Sequence, residues 1–362
     1  MTAGDGITVN SGVVSLDTSY TDGRYWRLGG NTGSSTQTLG TLGNNPLEFI
    51  VNSQRSMRIE PNATSPNLIG GYSGNSVTSG VVGATIGGGG KSGGTNRVTD
   101  EYGTIAGGWA NEASYRATIG GGSGNTASGE RSTVAGGSGN SASGPLSSIG
   151  GGSSNVASGE QAIIPGGFNC IAGFRAFAAG NHAHAIHDGA FVWADSNDGT
   201  VVESTAADQF VARAAGGFHF FTDYLMNTGA RLSSGSGAWS AMSDRNAKEN
   251  FKPVDPNDVL DRLVAIPLET WNYKSQDPSI RHIGPMAQDF HAAFGVGEDD
   301  RHITTIDADG VALAAIQGLY QIVKTKDRLI DAQERRLEDL EARFRALETH
   351  LNMRKRSTGL AR

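Results

Sequence analysis

The sequence predicts a chain of two kinds. The first two-thirds is mainly β, a parallel β-roll or solenoid built from repeats of about 15 residues. The last third is an α+β region ending in a long coiled-coil helix. Three observations carry this. Of 53 glycines in 362 residues, 31 fall between Gly70 and Gly180. Charge runs the other way: residues 1–242 hold 16 acidic and 11 basic side chains, and residues 243–362 hold 20 and 18. Apolar residues also recur every seven positions from Ile316 to Leu351.

Composition excludes several classes. Collagen needs glycine at every third position and abundant proline, and this chain has 10 prolines. A net charge of −7 disfavours a nucleic-acid partner. No apolar run approaches the ~18 residues of a membrane span, so no membrane insertion is expected. The opening MTAGDGITVN has neither a basic nor an apolar leader segment, so no secretory signal is expected. A single cysteine, Cys170, excludes an intrachain disulfide framework.

In chain order, residues 1–64 form a β-rich N-terminal region. Its segments Ile7–Asn10, Val13–Leu16, Tyr25–Leu28, Leu47–Asn52 and Ser56–Ile59 alternate apolar and polar residues between turn formers. Residues 65–198 are the repeats. The anchors Ile105, Ile119, Val134, Ile149 and Ile164 step by 14, 15, 15 and 15 residues, each followed by small residues, usually glycines. An Ala-Ser-Gly element recurs at 127–129, 142–144 and 157–159. That period is too short for a helix pair and fits one solenoid turn of short strands and tight corners. The aliphatics point inward, and Gly and Asn suit corners that need φ > 0. Such a core is thin, so association of chains is expected.

The Ile-Gly-Gly-Gly-x-x-Asn-x-Ala-x-Gly pattern, with the closing Gly189–Asp195 segment, resembles the head repeats of trimeric autotransporter adhesins. The resemblance implies a left-handed parallel β-roll of three chains. The repeats offer no paired carboxylates for glycan hydrolysis: Glu130 and Glu160 each follow an Ala-Ser-Gly element and read as solvated corners. His182, His184 and His187 form a small cluster, a weak metal candidate because the spacing fixes no further ligand. No metal and no cofactor are expected.

Residues 199–242 form a β-rich connector with strands at 209–213 and 217–221. The charged region opens at Ser243-Asp-Arg-Asn-Ala-Lys248-Glu-Asn250. A helix is expected from Asp255, and residues 243–315 form one domain. Over residues 316–352 the a and d positions are Ile316, Leu319, Val323, Ile330, Leu337, Leu340, Phe344, Leu347 and Leu351, with polar Lys326 and Gln333 at d. A basic tail, residues 353–362, follows.

Four features of this region, in order, carry a second resemblance. They are Ser243-Asp-x-x-x-Lys248-x-Asn250, Gly284-x-x-Ala-Gln288, an Asp307-x-Asp-Gly310 turn and the coiled coil. Together they resemble the intramolecular chaperone auto-processing domain of endosialidase-type phage tailspikes, and Tyr20–Trp26 is similar to segments of phage tail fibres. The resemblance implies a homotrimer whose C-terminal domain guides folding and then cuts itself off at the serine. The predicted cut lies between Met242 and Ser243, with Ser243 as nucleophile and Lys248 as general base, because a serine hydroxyl needs a base to take its proton. Asp244 is expected to shape the turn or cap the following helix, and Asn250 or nearby backbone N–H groups to face the oxyanion. The expected setting is a virion tail fibre, with the N-terminus on a phage tail or baseplate and a host-surface glycan or protein as receptor. The alternatives are a bacterial surface adhesin and an uncleaved structural trimer.

Overall fold

The computed structural model describes residues 7–10, 13–16, 39–197 and 199–359. The segment Tyr20–Trp26 and the expected strand at 25–28 lie outside them. The chain divides into two compact units between Phe218 and His219.

The first unit is a β-solenoid of about ten turns over residues 68–213. Ahead of it, Ile7–Asn10 pairs antiparallel with Val13–Leu16. Each full repeat contributes two two-residue strands to two parallel ladders. One ladder stacks Thr104–Ile105, Thr118–Ile119, Thr133–Val134, Ser148–Ile149 and Ile163–Ile164 in register. The other stacks Glu112–Ala113, Thr126–Ala127, Ser141–Ala142, Val156–Ala157 and Ile171–Ala172. A third row of single bridges joins Trp109, Ser123, Ser138, Ser153 and Phe168.

Strand alternation explains the core. The second residue of each pair points inward. Ile105, Ile119, Val134, Ile149 and Ile164 therefore face Ala113, Ala127, Ala142, Ala157 and Ala172, all fully buried. An aliphatic opposite an alanine fills a core two side chains thick, and each buried isoleucine contributes about 1.5–3 kcal/mol. The first edge is closed by the antiparallel strands Leu47–Val51, Gln54–Glu60 and Asn67–Gly70. They cover the edge of the ladder that carries the isoleucines, whereas the other ladder starts at Ser76–Val77. At the far end the ladders run past residue 198 through Val202–Glu203 and Phe210–Arg213, so the first part of the expected connector belongs to the roll. There the outward row changes from Thr and Ser to Ile163, Phe177, Phe191 and Phe210, with the last three rings stacked 4.4 and 4.8 Å apart.

The asparagines correct an expectation. The five at the recurring position, Asn96, Asn111, Asn125, Asn140 and Asn155, are buried and make a ladder instead of φ > 0 corners, whereas Asn169 does take a left-handed corner (φ 52°). The Asn125 N–H donates to Asn111 Oδ1 (3.0 Å). Asn125 Nδ2 donates to the carbonyls of Gly121 (2.9 Å) and Gly137 (3.0 Å). Asn125 Oδ1 accepts from the Asn140 N–H (3.0 Å). The side chain thus partners the Gly121 carbonyl and the Asn140 N–H inside the roll, and shares the Gly137 carbonyl with the Ser123 N–H. At Cys170 a thiol replaces the amide: its N–H donates to Asn155 Oδ1, its Sγ accepts from the Ala183 N–H of the next turn, and burial pushes the thiol's pKa up.

The left-handed corners fall elsewhere. Gly137 has φ 92°, and a Cβ there would strike the Gly152 backbone and the Asn140 amide. More surprising are Arg116, Arg131, Leu146, Gln161 and Arg175, all at φ 52–59°. Bulky residues pay for that conformation. Backbone bonds to the preceding turn hold them there, such as Leu146 N–H to Glu130 O (2.8 Å) and Gln161 N–H to Pro145 O (2.9 Å).

One interior row contains a defect. Ser132 and Ser147 are buried, and their hydroxyls have no hydrogen-bond partner within the chain. The equivalent residues one turn outward on either side are Ala117 and Ala162, both fully buried. An unpaired buried hydroxyl costs about 1–3 kcal/mol. Ser132→Ala and Ser147→Ala are each expected to raise the melting temperature by roughly 2–4 °C per kcal/mol recovered, read by circular dichroism. A lowered melting temperature would show that these hydroxyls are satisfied after all.

Strands Gly217–Phe221, Gly229–Ser233 and Trp239–Ala241 form one sheet, the first of them starting two residues ahead of the second unit. Helix α1 (Pro256–Ala265) starts at Asp255, whose carboxylate accepts from the Asn257 N–H, with Pro256 at the first helical position. Strands Glu269–Trp271 and His282–Gly284 pair antiparallel. Helix α2 (Ala287–Phe294) ends at Gly295 in the left-handed conformation, φ 61°. Helix α3 runs unbroken from Thr305 to Gly359, 55 residues or about 80 Å. The expected turn at Asp307–Gly310 is instead its first turn. Thr304 Oγ1 accepts from the Asp307 N–H (3.1 Å) and donates to the Asp307 carboxylate (2.7 Å), which caps the helix ahead of the glycine. Gly318 lets α3 lie directly on Pro256 of α1, where a Cβ would meet backbone.

Candidate active site at the Met242–Ser243 junction

The junction lies between a sheet and a turn. Trp239–Ala241 pairs with Gly229–Ser233, and the Met242 N–H donates to Gly229 O (3.1 Å), which fixes the residue before the junction. Gly229 has φ 151°, and a Cβ there would collide with Phe220 O. Beyond the junction Asp244 is extended and caps a three-residue 3-10 turn, Arg245–Ala247. Its Oδ1 accepts from the Asn246 N–H (2.9 Å) and from Asn246 Nδ2 (3.1 Å). The turn reverses the chain enough to bring back a side chain five residues on. Lys248 Nζ lies 2.7 Å from Ser243 Oγ, in hydrogen-bond contact. Asn250 then takes a left-handed conformation, φ 58°, which asparagine tolerates better than most residues.

The structure thus brings the two sequence-selected side chains into one hydrogen bond. Both stand exposed in the single chain. Asn250 has a backbone role that the sequence did not signal, since an Asn in a charged run looks the same whether it turns the chain or donates from its amide.

The heptad residues are also exposed. Ile316, Leu319, Val323, Ile330, Leu337, Leu340, Phe344, Leu347 and Leu351 are each 46–69% exposed along α3. Among the described residues of the second unit, the buried apolar side chains are Val259, Ile266, Phe290 and Ala315. So small a core beside so long an apolar stripe is the signature of a surface that other chains cover.

The three histidines are not brought together. His182 Nδ1 bonds Asn181 Oδ1 (2.6 Å), His184 Nε2 bonds Asn169 O (3.2 Å) and His187 Nδ1 bonds Ser204 Oγ (2.9 Å). Among the described residues no group of three His, Cys, Asp or Glu is placed to hold a metal ion. Glu130 lies near Arg116 (4.0 Å) and Arg131 (3.7 Å) on the solvated corner row. No helix among the described residues is long and apolar enough to cross a membrane.

No curated protein matches this chain. A family model matches the segment that starts at the candidate nucleophile. Residues 243–296 match peptidase family S74, described as chaperone of endosialidase, and with the β-solenoid upstream the chain fits an endosialidase-type tailspike protein.

Proposed function

We propose that the C-terminal region assembles three chains and then cuts itself off between Met242 and Ser243, leaving residues 1–242 as a host-attachment fibre. The observation that carries this reading is the 2.7 Å contact between Lys248 Nζ and Ser243 Oγ at the first residues of the family match. The family implies intramolecular chaperone autoproteolysis and trimer formation.

Each step balances. The Lys248 amine takes the Ser243 hydroxyl proton as Oγ attacks the Met242 carbonyl carbon. The C–N bond breaks, and the Ser243 nitrogen leaves as an amine after taking a proton. Water then hydrolyses the ester joining the Met242 acyl group to Ser243 Oγ. The products are a 242-residue chain with a new carboxylate and a 120-residue chaperone. Asp244 and Asn250 hold the turn, and Asn250 or a backbone N–H faces the oxyanion. An amine works as a base only when neutral, which dry surroundings favour. A single chain leaves the pair exposed, so the cover comes with assembly, and cutting follows trimerisation.

The order of events has a physical purpose. Turns of the roll resemble one another so closely that chains can pair one turn out of register. A trimer seeded by the α3 stripe aligns them first, and loss of the seed makes unfolding hard to reverse. The mature fibre attaches to a host-surface glycan or protein and, through its N-terminus, to a phage tail. Mass spectrometry of the expressed chain tests the cut. The wild type is expected as two fragments divided after Met242, and Ser243→Ala as the intact 37.6 kDa chain. Cleavage of the alanine variant at the same bond overturns the mechanism.

A further inference from the structure

We infer that Arg245 and Phe251 form a clamp that positions Lys248 against Ser243; this rests on the self-cleavage reading above. A lysine stem has many rotamers to lose, so a 2.7 Å contact persists only if the backbone bearing it is fixed. The connecting turn is short, three residues in 3-10 conformation with none buried. Such pieces are weak alone. Its start is held by Asp244. Past the turn, Lys248 is extended (φ −128°, ψ 152°) and only its N–H is tied back, to Arg245 O (3.2 Å).

The chain closes on itself one step later. The left-handed Asn250 turns Phe251 back over the start of the turn. The Arg245 guanidinium carbon lies 4.6 Å from the centre of the Phe251 ring. The first residue of the turn is thereby tied to a residue beyond Lys248, and the lysine is enclosed between two pinned points. Phe251 is otherwise 55% exposed, so its ring contributes little to a core. On the other side of the bond, Met242 is held by Gly229 O. The scissile bond thus joins a half fixed by a sheet to a half fixed by the clamp. Arg245 and Phe251 are positioning residues, acting on the base through the backbone.

A cation–π pair at an exposed site is worth about 0.5–1 kcal/mol, roughly two- to fivefold in rate. The test is a pulse–chase of the full chain in cell-free translation, following loss of the full-length band on a denaturing gel. Arg245→Gln and Phe251→Leu are each expected to slow cleavage roughly two- to fivefold, and the double variant to be no slower than either single, because both remove one interaction. Arg245→Lys and Phe251→Trp are expected to keep the rate. Native mass spectrometry of the same substitutions in a Ser243→Ala background is expected to show undiminished trimer. Unchanged single variants, multiplying effects, or slowed cleavage with lost trimer each overturn the clamp. The two readings fail separately. Cutting of Ser243→Ala sinks the mechanism, whereas an uncut Ser243→Ala chain with multiplying effects sinks the clamp alone.

Discussion

Lys248→Met is expected to leave the chain at its full 37.6 kDa while the trimer still forms. Methionine keeps an unbranched stem of similar length and removes only the amine that meets Ser243 Oγ at 2.7 Å. Without that base the hydroxyl keeps its proton, and loss of a positioned general base costs about 10²- to 10⁴-fold. Over the hours of an expression experiment such a loss reads as no cleavage. Lys248→Arg is expected to fail as well, although it keeps the charge, because a guanidinium does not give up its proton in a protein. The pair separates a base from a structural cation. A denaturing gel reads the cut, and native mass spectrometry reads the assembly. Rapid cleavage in the arginine variant would assign Lys248 to holding the turn.

Asn125→Ala should destabilise the roll more than any change on its surface. It removes two donors to the Gly121 and Gly137 carbonyls and the acceptor of the Asn140 N–H. The Gly137 carbonyl keeps the Ser123 N–H (2.9 Å), so two groups, the Gly121 carbonyl and the Asn140 N–H, lose their partner. Each unpaired group costs about 1–3 kcal/mol, so the loss is about 2 kcal/mol or more. For a unit of this size that corresponds to a fall in melting temperature of roughly 4–8 °C. The control is Ser138→Ala on the exposed bridging row, expected within about 0.5 kcal/mol of wild type. The measurement is circular dichroism of the solenoid at one fixed scan rate, since unfolding after chaperone release need not reverse. A fall below about 2 °C for Asn125→Ala would mean that the ladder does not hold the turns together.

The steps of the Ile105 to Ile164 anchors specified both the repeat and its inward row, because a buried strand position tolerates only a narrow choice of residue. The seven-residue stripe from Ile316 to Leu351 marked the long helix for the same reason. Asparagine at the turns was ambiguous. Its amide suits a φ > 0 corner and an interior ladder equally well in one dimension, and only stacked turns 14 or 15 residues apart reveal the carbonyls it meets. The left-handed Arg131 and Leu146 gave no local signal, since the force holding them there is a backbone bond from the neighbouring turn. Asp307–Gly310 read as a turn through its glycine, but a capping threonine three residues before Asp307 and the apolar stripe beyond it make it helix.

The division of glycine and charge along the chain determined the two kinds of architecture, and the Ser243 to Lys248 spacing marked the candidate chemistry. Those properties are local, set by residue type and period. Tertiary structure decided what no period encodes. It showed that the asparagines satisfy the roll's buried backbone. It carried the roll to Arg213, where residue 198 had seemed its end. It placed the Lys248 amine on the Ser243 hydroxyl, with Met242 tied to Gly229 on the other side of the bond. Each of these depends on groups distant in sequence meeting within about 3 Å, and distance in space is the quantity a linear pattern does not hold.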